Sequence, residues 1–124
     1  MSDLDAFFAH YAERYMAGDV DAISVMYEAP MLAVREGRAI HLAERTALRE
    51  HLAEVMAAYA RSGAARADIP TLDVVPLGRS SAFATVHWHV RDAGGTLLKD
   101  FQTTYHLLRT DGAWRIVSYT NHDG

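Results

Sequence analysis

"AFATVHWHVRDAGGTLLKDFQTTYHLLRTDGAWRIVSY", from Ala82 to Tyr119, decides the fold of this 124-residue chain. It holds no proline and is dense in β-branched and aromatic residues, which suit a pleated, half-buried surface. Two dipeptides punctuate it, Gly94-Gly95 and Asp111-Gly112. Both are strong signals for two-residue hairpin loops. The stretch therefore predicts three long antiparallel strands, at about 81–92, 97–109 and 113–122.

Those loops also set a register. A two-residue Gly94-Gly95 loop puts His89 opposite Asp100, His87 opposite Gln102, Thr85 opposite Thr104 and Phe83 opposite His106. A two-residue Asp111-Gly112 loop puts His106 opposite Val117, Thr104 opposite Tyr119 and Gln102 opposite Asn121. Paired residues share a face, because strand side chains alternate with period two. One face then carries Phe83, Thr85, His87, His89, Asp100, Gln102, Thr104, His106, Leu108, Val117, Tyr119 and Asn121. The other carries Val86, Trp88, Val90, Phe101, Thr103, Tyr105, Leu107, Trp114, Ile116 and Ser118. A slip of one residue would exchange the two sets.

Upstream, the periodicity is helical. Leu4, Phe7, Phe8, Tyr11 and Tyr15 recur at spacings of three and four, and Gly18 ends the run. Asp19 can cap a second helix over "DVDAISVMYE". "PMLAVREGRAIHL" reads as two short strands about a Glu36-Gly37 turn. A third helix covers about Ala43 to Arg61, with Leu48, Leu52, Val55, Met56 and Tyr59 as its apolar stripe. "RSGAARAD" reads as a loop. Ile69 to Leu77 reads as an irregular strand, since Pro70 and Pro76 cannot donate to a ladder. No repeat or long linker divides the chain, so residues 1–124 are expected to form a single domain. Helices first and an antiparallel meander last define an α+β fold with the helices on one face of the sheet.

Composition narrows the function. Hydrophobic residues make up 50% and charged residues 23%, as in globular proteins, and the net charge is -4. No basic segment runs along the chain, so nucleic acid is not an expected partner. The absence of cysteine removes disulfides, thiolate nucleophiles and thiolate metal sites together. The acidic start "MSDLDAFF" does not resemble a signal peptide, and no apolar run spans a bilayer. A cytoplasmic location without membrane contact is expected.

"YAERYMAGDVDAISVMYEAP" resembles the helix–Gly-Asp–helix opening of the nuclear transport factor 2-like superfamily. Its members include ketosteroid isomerases, scytalone dehydratase and SnoaL-type polyketide cyclases. "LLRTDGAWRIVSYTNHD" is similar to the closing hairpin of that group. "HLAERTALREHL" resembles the start of its third helix, with Glu44-Arg45 in place of the usual Gly-Arg. The resemblance implies a cone-shaped, cystatin-like curved antiparallel sheet wrapped around the N-terminal helices, with a pocket on the concave face and often a dimer through the convex face. It also implies roles by position. Tyr11 falls at the oxyanion-hole tyrosine of the isomerases, and His106 at the protonated acid beside it. The isomerases' general-base aspartate falls near Arg35, so that base is missing or moved. The polar face of the meander is thereby expected to point inward.

These positions give the candidate site. His106 and Tyr11 are the catalytic candidates, as donors to a ligand carbonyl. Thr85, His87, His89, Asp100, Gln102, Thr104, Tyr119 and Asn121 are the candidate ligand-binding residues. His87, His89 and Asp100 also form a donor set suited to a divalent metal. With three ligands and no evident outer shell to orient them, no metal is expected there, and no other cofactor. His10, His41 and His51 read as surface or edge residues. Two functions fit: a small-molecule-binding domain performing acid–base isomerisation, dehydration or cyclisation of a hydrophobic carbonyl compound, or a non-catalytic ligand-binding or dimerisation module. A homodimer is expected through the convex face, on an apolar patch of Trp88, Phe101, Tyr105, Leu107, Trp114 and Ile116.

Overall fold

Leu4, Phe8 and Tyr11 recur about one turn apart along α1 (Ser2–Met16), and all three are buried. The computed structural model describes residues 2–122. Gly18, at φ 73°, lies just past the helix in the left-handed region that glycine adopts without a Cβ penalty. Asp19 caps α2 (Val20–Ser24), its carboxylate accepting from Ala22 N at 3.1 Å. The helix expected to run to Glu28 stops at Ser24. The Arg45 guanidinium donates to Ser24 O at 2.8 Å and to Tyr27 O at 2.6 Å. It satisfies carbonyls there in place of a further helical turn.

From Tyr27 the chain is extended. β1 (Tyr27–Arg35) and β2 (Arg38–Leu42) are joined at Glu36-Gly37, where both residues have positive φ as the predicted tight turn demands. α3 (Arg45–Arg61) buries Leu48, Leu52 and Met56. β3 (Ala64–Asp68) occupies the segment read as a loop. Its alanines have little strand propensity, but the far half of β5 offers it an antiparallel partner, and pairing overrides propensity. β4 (Leu72–Pro76) begins only after Pro70. β5 (Ser81–Asp92), β6 (Leu97–Thr110) and β7 (Ala113–His122) match the predicted strands to within a residue.

The strands form one curved, unclosed sheet in the order β2-β1-β7-β6-β5-β3, with β4 also on β5. β1 runs parallel to β7, so the sheet is mixed rather than wholly antiparallel. The predicted pairings of β5 and β6 hold: His89 with Asp100, His87 with Gln102, Thr85 with Thr104, Phe83 with His106. The loop itself is longer than two residues. The Asp92 carboxylate accepts from Gly94 N and Thr96 N, and an irregularity between Val90 and Arg91 absorbs the extra length.

The faces are reversed relative to the expectation. Ala82, Ala84, Val86, Trp88 and Val90 of β5, with Thr103, Tyr105 and Leu107 of β6 and Ile116 of β7, are buried, and nearly all join the core that includes the helix stripes. His106, Thr85, His87, His89, Asp100, Gln102 and Thr104 occupy the opposite, convex face. Each large apolar side chain removed from water contributes on the order of 1.5–3 kcal/mol, which decides the orientation. The apolar dimer patch therefore does not exist as a surface. Trp88, Tyr105, Leu107 and Ile116 are core, and Phe101 and Trp114 pack against it.

One irregularity departs from the predicted register of β7. Leu107 pairs with Ile116, but His106 pairs with Ser118, leaving Val117 as an extra residue. Beyond this bulge Tyr119 pairs with Tyr105, and Asn121 with Thr103. Both are thus carried to the concave face. No described helix is long and apolar enough to cross a membrane.

Candidate functional site

The concave face and the helices enclose a cavity lined chiefly by aromatic rings. Tyr11 and Tyr15 come from α1, Tyr27 from β1, Tyr59 from α3, Trp88 from β5, Tyr105 from β6 and Tyr119 from β7. Its free volume is small, about 60 Å³, and it opens to solvent. That suits a small ring compound rather than a large polycyclic one.

The deep end is a hydroxyl cluster. Tyr11 and Tyr27 share a buried hydrogen bond of 2.6 Å between their hydroxyls. The Tyr11 ring lies 6.0 Å from Trp88 and 5.9 Å from Tyr105, edge-on to the latter. Burial pushes the Tyr11, Tyr27 and Tyr105 phenols well above their ordinary range. They are neutral donors at physiological pH. Among the described residues, no buried side-chain nitrogen or oxygen lacks a partner.

The outer end is polar and cationic. Arg35 ends β1 on the same face as Met31 and Ala33, and it borders both the cavity and two adjoining surface grooves. It makes no ion pair with a carboxylate among the described residues. Its field opposes the burial that raises the Tyr15, Tyr59 and Tyr119 phenols. His51 Nε2 lies 2.8 Å from the Tyr119 hydroxyl. Burial and then Arg35 lower the His51 imidazole below its ordinary value, so it is neutral near pH 7. Thr103 donates to Asn121 Oδ1 at 2.8 Å beside this group.

Of the ten residues predicted for the site, Tyr11, Tyr119 and Asn121 line the cavity. The other seven lie outside it, and only the side chains of Thr85 with Thr104 and His87 with Asp100 hydrogen-bond within that group. Thr85 and Thr104 hydroxyls lie 2.9 Å apart, His106 Nε2 is 2.9 Å from Ser81 Oγ, and His87 Nε2–H donates to Asp100 at 2.6 Å. Tyr11 and His106 therefore do not share a cavity. Arg35, His51, Tyr59, Trp88 and Tyr105 were missed. Period-two alternation from Met31 and Ala33 would have found Arg35. His51 stands three residues from Leu48, at the margin of the α3 stripe.

This curved sheet around an aromatic cavity defines the class of protein. A family described as NTF2-like protein (DUF6841) matches residues 2–124, and the chain belongs to it. No curated protein matches the sequence. Among solved structures, the chain is similar to an NTF2-like protein with a cystatin-like fold from Novosphingobium aromaticivorans, at 21% identity. The match covers 97% of this chain and 79% of that one, with a TM-score of 0.74. A protein of unknown function from Mycobacterium tuberculosis is 20% identical over 98% of this chain and 69% of its own, with a TM-score of 0.72. A putative calcium/calmodulin-dependent protein kinase II association domain from Xanthomonas campestris is 16% identical over 98% of this chain and 86% of its own, with a TM-score of 0.69. At these identities the likeness is one of fold.

Proposed function

We propose that this chain binds a compact ring compound bearing a carboxylate or similar anionic oxygen. The observation that carries this reading is Arg35, a guanidinium with no carboxylate partner among the described residues, at the mouth of a cavity lined by tyrosines and Trp88. Aromatic walls hold a ring, and a guanidinium offers paired donors that match a carboxylate. Arg35 also stands near where the resemblance puts a general-base aspartate. A guanidinium donates and does not accept protons, which favours anion binding over proton abstraction at that position.

Titration calorimetry with 2-naphthoate, benzoate and the neutral 2-naphthamide tests the reading. Naphthoate is expected to bind one per chain, and its amide more weakly. Arg35→Met removes a charged hydrogen bond, so naphthoate affinity should fall about 10–100-fold. No saturable binding of either acid, or equal affinity in Arg35→Met, would overturn it.

One observation favours catalysis as a second reading: His51, neutral near pH 7, beside the Tyr119 hydroxyl. In that reading His51 Nε2–H donates to the Tyr119 oxygen, Tyr119 O–H donates to the carbonyl oxygen of the ligand, and the free Nδ1 of His51 takes up the proton lost from the α-carbon and returns it there. Deuterium exchange at the α-carbon of 2-tetralone, followed by NMR, should then depend on His51 and vanish in His51→Gln.

The same proposal includes a homodimer through the convex face, in a form different from the apolar patch first expected. Phe83 and Val75 pair on neighbouring strands of that face and are 41% and 56% exposed. The likeness to an association domain supports self-assembly by this fold. Sedimentation should show a dimer at tens of micromolar in the unmodified chain and a monomer in Phe83→Glu.

A further inference from the structure

The convex face holds a constellation that the cavity does not use. His87 and His89 alternate on β5 and point to the same side, their ring centroids 4.8 Å apart and nearly perpendicular. Asp100 lies directly across from His89 on β6. Its Oδ1 accepts from His87 Nε2 at 2.6 Å, and its Oδ2 stands 3.6 Å from His89 Nε2. One ligand atom from each of the three residues lies within 4.8 Å of the others.

We propose that His87, His89 and Asp100 bind a single divalent transition-metal ion of the zinc class. Two imidazoles and a carboxylate suit zinc, cobalt or nickel, whereas magnesium and calcium favour sets built mainly of oxygen. Zinc holds such atoms at about 2.0–2.2 Å in a tetrahedron, which sets them about 3.3 Å apart. His87 Nε2 stands 2.6 Å from Oδ1 of Asp100 and His89 Nε2 3.6 Å from its Oδ2, so each imidazole already faces one oxygen of the carboxylate, and the three donors lie within 4.8 Å of one another.

A plain cross-strand hydrogen bond would need only one histidine. His87 makes that bond at 2.6 Å, while His89 stays beyond hydrogen-bonding distance of the same carboxylate. A metal ion would engage both. Two adjacent strands of a regular ladder carry all three residues, so the donors are held in advance of binding. The side chains are partly exposed, at 27%, 24% and 53%, which leaves a path for the ion and a coordination position open to water. Asp68, paired with His89 from β3, is engaged by Arg66 and Arg91 and does not complete the set. Donor chemistry and register were visible in the sequence. The carboxylate's place between both imidazoles was not, and on it the proposal departs from the expectation that no metal binds here.

The test uses the chelator-stripped full chain, made without a histidine tag and titrated with Zn²⁺ by calorimetry and with Co²⁺ by visible absorption. With no cysteine in the chain, a cobalt spectrum would come from nitrogen and oxygen ligands alone. One ion per chain is expected. Losing even an outer-shell partner costs about 10–100-fold in metal affinity, so His89→Ala should lose at least about tenfold. His89→Gln serves if the alanine variant fails to fold by circular dichroism. His106→Ala, elsewhere on the same face, should bind like the unmodified chain. Absence of saturable binding, unchanged affinity on loss of His89, or an equal loss in His106→Ala would each overturn the proposal.

Discussion

The two faces of the central hairpin are built from alternate residues of the same strands, yet they solve different problems. On the concave face, Val86, Trp88, Tyr105 and Leu107 lose nearly all contact with water. Their contribution comes from area, and it is non-directional. On the convex face, Thr85, His87, Asp100, Thr104 and His106 remain partly hydrated and pair across the ladder. Their contribution is directional, and each bond replaces one that water would supply. A face rich in histidine and threonine is thus not necessarily a pocket. It can be an outer surface whose polar groups satisfy each other.

The largest expected effect comes from breaking the inner face. Trp88→Ala should cost about 3–5 kcal/mol of unfolding free energy in a urea titration. The outer-face change Thr104→Ala should cost no more than about 1.5 kcal/mol, the range of an ordinary hydrogen bond. Comparable costs for the two would mean that the faces are not divided as described.

Tyr27→Phe sharpens the contrast within the inner face. It keeps the ring and removes one hydroxyl of the buried 2.6 Å pair, leaving Tyr11 to find another partner. A loss of about 1–3 kcal/mol is expected. A neutral or stabilising result would show that the hydroxyl pair contributes nothing net and serves the cavity instead.

The smallest effect is a pH dependence at the cavity mouth. Burial lowers the folded-state value of His51 below that of the unfolded chain. The unfolded state therefore binds the proton first as pH falls, and stability declines from about pH 6.5 down to the folded-state value. His51 is only half-buried, so solvent screens much of this. His51→Gln should flatten the dependence of melting temperature on pH between 7 and 5 slightly. An unchanged slope would place the imidazole in an environment no different from water.

Element order, the three long strands and the pairing of His89 with Asp100 were legible because hairpin turns and period-two alternation are local signals. β3 was not, since Ala64 to Asp68 becomes a strand only through its partner on β5. Orientation of the sheet was misread for a specific reason. Position counting by resemblance put His106 inward, and at period two an offset of a single residue exchanges inside for outside. Weighing Trp88, Val86 and Leu107 against the exposed apolar stripes of α1 and α3 gives the observed orientation without any outside template. Tyr11 faces the cavity because it belongs to the α1 stripe of Leu4 and Phe8, whose spacing of three and four is itself a local signal. Arg35 escaped because it is a charged residue continuing the face of Met31 and Ala33 at the end of β1, and His51 because it lies at the margin of the α3 stripe.

The extra residue at Val117 also bears on how this chain should be compared with others. Before it, β7 matches β6 in one phase; after it, Tyr119 and Asn121 follow the opposite phase. An ungapped alignment to a relative lacking that residue would place correct letters on the wrong side of the sheet from Ser118 onward. At identities near 20%, where few anchors correct such an error, transferring residue roles along this last strand is safe only from superposed backbones.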